Sequence, residues 1–511
     1  MLAEHVRDLL KSVTAALREV SISCLVDQTL AMSTASADCV SRRPDDDTAV
    51  IRARRDAAVE RLENRIDYER TDVLPYREQD LKLDRMRSLL YRLGDPQKSL
   101  GIVHLAGTKG KGSTAAMISE MLTASGHRTG LFTSPHFDCL EERLAVDGQA
   151  ATAAELLTLL DLVWPAVEDM DTETDSGHSD LGRPTYFEIT TALAALHFAR
   201  RRVDAAVLEV GLGGRLDSTN VCDPLLSVIT SISFDHTQQL GETLAAIARE
   251  KAGIIKPGVP VISGATEGEP SVVIQQIADR SNAPLRQLGR DFRFQYYPSQ
   301  FDRASAARPS MDFFSKTPAG EHVTGGLELG LLGRHQASNA AVALATIEEL
   351  RRQGWQISDR AVQEGLRVTS LPGRIEVIAR HPTIVIDTAH NVASAEALIA
   401  TLQESFPASN RTLVLATTRD KDLHGILRVL APHFNQLVIT CYENNPRAMP
   451  IDGLDAIAAQ VTNVPRRAFD QPSAVWDYLR GNTSKKDLIC VTGSFFIAAE
   501  MRRIVVGRNE R

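Results

Sequence analysis

The 511-residue chain contains no run of about 18 apolar residues, and its first positions mix Glu4, Arg7, Asp8 and Lys11 into a helical pattern. Neither a membrane span nor a secretory leader is expected from such a pattern. Paired cysteines are missing as well: Cys24, Cys39, Cys139, Cys222, Cys441 and Cys490 are scattered with no C-x-x-C among them. That excludes the usual zinc and redox spacings and fits a reducing, cytoplasmic setting. There is no excess of positive charge. The net charge is −8 and the isoelectric point lies near 5.9, the opposite of the basic footprint that nucleic acid or an anionic membrane demands. No internal repeat is found. What is present is 43% hydrophobic content over a length too great for one core, so two domains plus extensions are expected.

Residues 1–56 divide into a short amphipathic helix around Val6–Val20 and a Ser/Asp-rich stretch ending in SRRPDDDTAV, expected as a partly disordered extension without chemistry of its own. Met32 lies within it and is a second candidate start of translation. From residue 57 the helical AAVERLENRIDYER leads to the strand GIVHLAG, a glycine-rich loop, and a helix over Ser113–Ala124 whose Met117, Ile118, Met121 and Leu122 share a face. The strands VDAAVLEVG and LLSVITSIS and the helical LAAIAREKAGI follow, the alternation of a largely parallel sheet covered on both faces. The acidic EDMDTETDSGHSD and the aromatic FRFQYYPSQF read as insertions or surface hairpins. A Pro-Gly turn at Pro372 and Gly373 introduces a second series, TIVIDTA, TLVLATT, QLVITCY and DLICVTGS, each followed by a helical pattern. A smaller doubly wound domain is expected there. The expected limits are 57–368 for the first domain, 369–375 for a linker and 376–511 for the second.

GTKGKGS stands between a strand and a helix, the setting in which loop N–H groups and a helix N-terminus cradle phosphates. Lys111 would reach the terminal phosphates, and Ser113 or Thr114 would face a magnesium ion. Gly112 separates Lys111 from Ser113, so the strict G-x-x-x-x-G-K-S/T spacing is not met. EVGLGGRLD also follows a strand, but Leu216 stands where a dinucleotide fingerprint needs its third glycine. Glu209, near the end of that apolar strand, is either a solvated strand-end acid or a carboxylate holding Mg²⁺ beside phosphates. Asp235 and His236 in SFDHTQQLG end the next strand at the same kind of edge, where a lone histidine is a structural residue or a ligand. Lys251 shares a helical face with Leu244, Ile247, Ala248 and Ile255. Its stem can pack while the amine snorkels. Alternatively, burial favours the neutral amine, which can add CO₂ and become a carbamate, an anionic oxygen ligand for a second Mg²⁺.

The pieces GTKGKGST, TSPH, PTYFE, EVGLGGRLDSTN, ITSISFDHTQQLG, AREKAGIIKPG, GRHQASNAAVA, LPGRIE, IDTAHN and TGSFF run in order between about residues 57 and 500. Through them the chain resembles the folylpolyglutamate synthase/dihydrofolate synthase family of the Mur ligase superfamily. The resemblance implies an α/β fold, with a P-loop-containing, Mur-ligase-like central ATPase domain and a smaller Rossmann-like C-terminal domain. It implies an ATP- and Mg²⁺-dependent ligase that joins L-glutamate to dihydropteroate or to the γ-carboxylate of folates.

On that resemblance the metal ligands would be Ser134, Glu209 and His236, with a carbamylated Lys251 and two Mg²⁺ ions. Nucleotide contacts would be Gly107, Thr108, Gly110, Lys111, Gly112, Ser113 and Thr114, then Asn339, Arg374 and Asp387. The pterin region would be Thr185–Glu188, with Phe187 for stacking, plus the turn through Arg215. His390 and Ser494 would face an interdomain cleft, Ser494 for the incoming glutamate, and Lys111, Lys251 and His390 would carry catalysis. The partners would be these small molecules, without nucleic acid or membrane, and the protein a monomer. Three features depart from the family pattern. Lys109 stands where many bacterial relatives carry Asn, residues 1–56 have no counterpart, and the acidic insert borders the pterin region. They bear on substrate preference and not on reaction type.

A carboxylate resists attack by an amine, so the implied chemistry first activates it. The carboxylate attacks the γ-phosphorus to give an acyl phosphate and ADP, charge on the transferring oxygens being stabilised by Lys111, loop amides and Mg²⁺. The glutamate amine then displaces phosphate, and closure of the second domain excludes water. Two other readings share parts of this. A cell-wall Mur ligase would share the loop, Glu209, His236 and Lys251, but it needs a UDP-binding domain ahead of the loop, for which about 50 foldable residues are too few. A non-catalytic P-loop switch accounts for the loop alone. Within the family, both ligase activities are favoured over polyglutamate extension only.

Overall fold

Two twisted, mostly parallel sheets organise the computed structural model, which describes residues 49–67, 83–266, 268–300, 308–442 and 447–509. The helix and linker expected before residue 49 lie outside the described residues. Helix Ala49–Glu63 opens the described chain, so the last residues of the expected extension are helical. Arg54–Arg511 forms one compact unit.

The first sheet contains β1 (Gly101–Ala106), β2 (Thr129–Phe132), β3 (Ala145–Val146), β4 (Ala205–Glu209), β5 (Leu226–Ile229), β6 (Val261–Ser263) and β7 (Leu285–Gln287). Its order is β3-β2-β4-β1-β5-β6-β7, and only β3 runs antiparallel to its neighbour. Val103 and Leu105 of β1 face one core with Met117 and Met121 of helix Lys111–Ala124, while Ile102 faces another with Leu193 and Phe198 of helix Tyr186–Arg201. Strands covered on both faces must be apolar along their whole length, which is why they stand out as runs in the sequence. The strand order reverses at β1, so the loops after β1, β4 and β5 open a crevice at the carboxyl edge.

A three-stranded antiparallel sheet, β8 (Phe292–Tyr297), β9 (Ser310–Thr317) and β10 (Gly320–Glu328), follows in the order β10-β9-β8. The stretch FRFQYYPSQF, expected as an insertion or surface hairpin, thus supplies a strand that sends Phe292 and Tyr296 into the first core, in the period-two pattern of a half-buried strand. The acidic EDMDTETDSGHSD is also corrected: it completes the 23-residue helix Ala153–Asp175 and its turn. Arginines account for the difference, because Arg65 grips Asp171 at 2.8 and 2.6 Å and Arg92 reaches Glu173 at 2.8 Å. Opposite charges brought from elsewhere in the chain let the acidic run stay helical.

The second parallel sheet has the order β11-β12-β16-β13-β14-β15. Its strands are β11 (Glu376–Arg380), β12 (Thr383–Ile386), β13 (Arg411–Leu415), β14 (Gln436–Ile439), β15 (Arg466–Ala468) and β16 (Leu488–Thr492), with β11 antiparallel at one edge. The four apolar runs expected as strands are β12, β13, β14 and β16. Between the sheets the chain turns through Gly373 at φ 65° and Ile375 at φ 50°. A Cβ at Gly373 would meet the ring of Phe137 at 2.5 Å, so the glycine permits the turn to pass directly against the first half. Tyr296 ties the halves further, donating to Glu404 of helix Val392–Ser405 and accepting the Gly333 N–H, both at 3.2 Å. Among the described residues no helix is long and apolar enough to cross a membrane.

Candidate active site

The loop after β1 is shaped by two glycines, Gly107 at φ 153° and Gly110 at φ 83°. A Cβ on Gly107 would lie 1.9 Å from Thr230 Oγ1, and one on Gly110 would lie 2.1 Å from Asn339 Oδ1, so neither position has room for a side chain. Helix Lys111–Ala124 begins two residues before the expected Ser113, with Gly110 as its cap and no side chain capping it. Its first-turn N–H groups have no acceptor within the helix, and with the helix dipole they favour an anion. Lys111 Nζ lies 3.2 Å from the Gly107 carbonyl oxygen and 4.0 Å from Glu209 Oε1.

Glu209 is buried at the end of β4 and accepts the Ser134 N–H at 3.1 Å. Burial raises its pKa, with Lys111 opposing. A buried carboxylate whose nearest cation stands beyond hydrogen-bond reach is under-compensated. The Thr114 hydroxyl, buried in the first turn of the adjacent helix, has no hydrogen-bond partner. A phosphate-bound Mg²⁺ fits this donor set, because that ion takes one or two carboxylates and completes its shell with phosphate and water oxygens. Among the described residues no three His, Cys, Asp or Glu side chains gather as a metal cage.

His236 is 47% exposed and sits at φ 49°, capping the short helix Thr237–Leu240. The preceding Asp235 is bonded by Lys109 Nζ at 2.6 Å. Burial opposes ionisation of Asp235, but Lys109 and His236 outweigh it and hold the carboxyl well below the usual range. Lys251 is only 4% exposed, and its Nζ donates to the Gly107 carbonyl at 2.9 Å. Of the two readings open for it, snorkelling is excluded by this burial: the amine reaches underneath the loop that follows β1. Desolvation first, then the charge of Lys111, lowers its pKa to about 7.

PTYFE builds the start of helix Tyr186–Arg201. Thr185 Oγ1 accepts the Glu188 N–H at 3.3 Å, and the Glu188 carboxylate accepts the Thr185 N–H at 2.8 Å, a capping box. Arg85 pairs with Glu188 at 2.8 Å in the buried interior. Phe187 is thereby fixed, and a Cβ at Gly211 would meet its ring at 2.5 Å. The first glycine of EVGLGG is required for this close approach, not for a dinucleotide. Asp217, not singled out in the sequence, holds the same turn by accepting the Gly211 and Leu212 N–H groups, both at 3.0 Å. Arg215 pairs with Glu250 at 3.1 Å.

From the second sheet, Asp387 accepts the Ala389 N–H at 2.8 Å and the Ile375 N–H at 3.1 Å. Arg374 donates to Thr388 Oγ1, and its guanidinium lies 4.8 Å from the Phe495 ring centroid. His390 Nδ1 is 2.9 Å from the Thr388 carbonyl, which can only accept, so Nδ1 carries the proton and Nε2 keeps a lone pair. Burial, then Lys109, lowers its pKa to about 4, and the ring is neutral at pH 7. Ser494 Oγ accepts the Ile497 N–H at 3.2 Å at the start of the last helix.

One cleft of about 1530 Å³ is lined from both halves. It brings together Thr108, Gly110, Lys111, Gly112 and Ser113 with Ser134, Thr185, Phe187, Glu209, His236, Asn339, Arg374, Asp387, His390 and Ser494. Gly107, Thr114, Arg215 and Lys251 are not on its wall. Lys251 supports the loop through the Gly107 carbonyl, and Arg215 supports the glycine turn through Glu250. Sequence reasoning missed Arg143, buried with its Nε donating to His136 Nδ1 at 3.0 Å, and Lys421 and Arg447, which flank Asp420 at 2.9 and 3.1 Å. Lys421 had a signal, since TTRDKD follows β13 at the carboxyl edge. Arg143 in EERLAV had none.

Residues 105–347 match the Mur ligase middle domain, and residues 373–495 match the glutamate ligase domain of Mur ligases. The chain is 35% identical over 424 residues to the dihydrofolate synthase/folylpolyglutamate synthase of Bacillus subtilis, which covers 82% of this chain and 94% of that protein. Among solved structures it is similar to Mycobacterium tuberculosis folylpolyglutamate synthase complexed with ADP and AMPPCP, with a TM-score of 0.78, 31% identity, and 90% and 99% of the two chains covered. The Escherichia coli FolC complex with DHPP and ADP aligns with a TM-score of 0.73, 29% identity, and 89% and 98% coverage.

Proposed function

The chain belongs to the folylpolyglutamate synthase/dihydrofolate synthase family of Mur ligases, and from that premise we propose how its cleft joins L-glutamate to folates at the expense of ATP. Dihydropteroate and the γ-carboxylate of folates are both substrates. The observation that carries this reading is the convergence on one cleft of Lys111 and Glu209 from the first sheet with Arg374, Asp387 and His390 from the second. A phosphate loop alone would not need the second wall.

Loop N–H groups and Lys111 hold the γ-phosphoryl group and stabilise the charge that develops on it. Ser134, Glu209 and His236 would hold Mg²⁺, which neutralises phosphate charge when bound, and a carbamylated Lys251 would hold a second ion. Near pH 7 a substantial fraction of the buried Lys251 amine is neutral, the form that adds CO₂. Arg374, Asp387 and Asn339 read the nucleotide, and Phe187 offers a ring to the pterin. The neutral His390 keeps Nε2 as acceptor for the proton that the glutamate amine releases on attack. Ser494 binds the incoming glutamate. Thr185 and Arg215 act by holding Phe187 and the glycine turn, since both are engaged in backing these elements. On this reading residues 57–368 carry the nucleotide and pterin sites, 369–375 the hinge and 376–511 the closing half of a cytoplasmic monomer.

The test supplies purified protein with ATP, Mg²⁺, glutamate and either dihydropteroate or tetrahydrofolate, and weighs the products. One glutamyl residue should be added to each. Addition to tetrahydrofolate alone leaves an extension enzyme only, and ADP formation without any folate overturns the ligase reading. Light scattering on the same preparation checks the monomer.

A further inference from the structure

Lys109 belongs to the phosphate loop, yet cradling phosphate gives it no task. Its backbone is occupied: the N–H donates to Ser231 Oγ at 3.2 Å, and the carbonyl accepts from Thr230 Oγ1 at 2.7 Å and Ser231 Oγ at 3.0 Å. Thr108 adds an N–H to the Ser231 carbonyl at 2.6 Å and a hydroxyl that accepts the Ser233 N–H at 3.1 Å. These ties stitch the loop to the chain leaving β5, but they reach no further than Ser233. Beyond it Phe234 is exposed, and His236 is left-handed at φ 49°, a state that a non-glycine residue keeps only where its surroundings enforce it.

The Lys109 side chain spans that gap. Its side chain is 30% exposed, its ammonium meets Asp235 Oδ2 at 2.6 Å, and the other oxygen of Asp235 accepts the His236 N–H at 3.1 Å. A continuous link therefore runs from the loop through Asp235 to the backbone of His236. The pair also has an electrostatic consequence. Asp235 faces the cleft in which nucleotide phosphates would sit, and an uncompensated carboxylate there would repel them.

We propose that Lys109 is a positioning residue of the ligase site that acts through Asp235, fixing the His236 turn against the phosphate loop and cancelling the charge of Asp235. This rests on the ligase reading of the cleft. It separates Lys109 from Lys111: the ammonium of Lys109 is committed to a carboxylate, while that of Lys111 is left for phosphate.

Lys109→Met, Asp235→Asn, the double variant and Lys109→Arg, all in the full chain, test the link through kcat and through the Kd for ADP in EDTA, which requires neither turnover nor metal. Each of the first two should lower kcat about 10- to 100-fold. The double variant should be no worse than Asp235→Asn, because both changes break one link. Lys109→Arg, which keeps the charge, should recover about tenfold of the loss. In EDTA, Lys109→Met should weaken ADP binding about tenfold, Asp235→Asn should bind at least as tightly as wild type, and the double variant should return to the wild-type Kd. A double variant as weak as Lys109→Met would mean that Lys109 binds phosphate directly and would overturn the proposal. So would additive losses in kcat, or wild-type kcat in Asp235→Asn, which decides the matter even if Lys109→Met does not fold. A wild-type enzyme that makes no folate product sinks the ligase reading, while the ADP arm still decides on Lys109.

Discussion

At the carboxyl edge of the first sheet Glu209 is buried with a single N–H against it, and Lys251 is buried against a carbonyl. At the corresponding edge of the second sheet Asp387 is buried with each oxygen on a backbone N–H, and His390 is neutral with one nitrogen bonded to a carbonyl. At the first edge Glu209 thus stays under-compensated until a ligand arrives, although Asp235 in the same cleft is paired with Lys109. The second commits its charge to its own turn and to the linker at Ile375. Electrostatic work belongs to the first half, and placement to the second.

The largest effect expected from this contrast is at the phosphate loop. Lys111→Met should reduce kcat about 1000-fold, and rapid-quench measurement of acyl phosphate formation should locate the loss in the first chemical step. Next, Lys251→Ala should cost about 100-fold, and acetate in the assay should partly restore activity by supplying an oxygen ligand. Full activity without acetate would remove the carbamate from the mechanism.

Asp387→Ala should behave differently from Glu209→Gln. It strands two buried N–H groups at about 1–3 kcal/mol each, so calorimetry should show a lower Tm, with the KM for ATP up about tenfold and kcat changed less. Glu209→Gln should keep its Tm, because it removes a buried charge, while losing about 100-fold in kcat. Equal behaviour of the two variants would erase the distinction between the edges.

The smallest effect concerns pH. Lys251 has a pKa of about 7 in the fold against an ordinary value of 10.5. Between those values the unfolded chain binds more protons than the folded one, so this residue makes stability rise with pH across that window. Urea unfolding at pH 7 and pH 9 should show the rise, and Lys251→Met should flatten it.

Much of the fold was legible because both-face burial writes strands as apolar runs: VDAAVLEVG contains β4, and TLVLATT covers all of β13 but Arg411. The polar edge strand Arg466–Ala468 carries no such signature, since it is held in place by pairing with β14. The acidic end of helix Ala153–Asp175 carries no helical signature for the same kind of reason, its arginine partners lying elsewhere in the chain. In the site, Glu209 and Lys251 could be picked out by their place at a strand end or on a helix face, whereas His236 caps a short helix seven residues beyond the end of β5 and not the strand itself, and Arg143 had no such signal.

The glycine-rich loop and the family can be read from the chain alone, because a strand, glycines with the required backbone freedom, a lysine and a helix start are all local features. Which charges meet and which stay buried depends on the fold. Lys109 finds Asp235 across 126 residues and Lys251 finds Gly107 across 144. The cost of burying a charge depends on the groups that the fold brings around it, and no stretch of the chain contains that information.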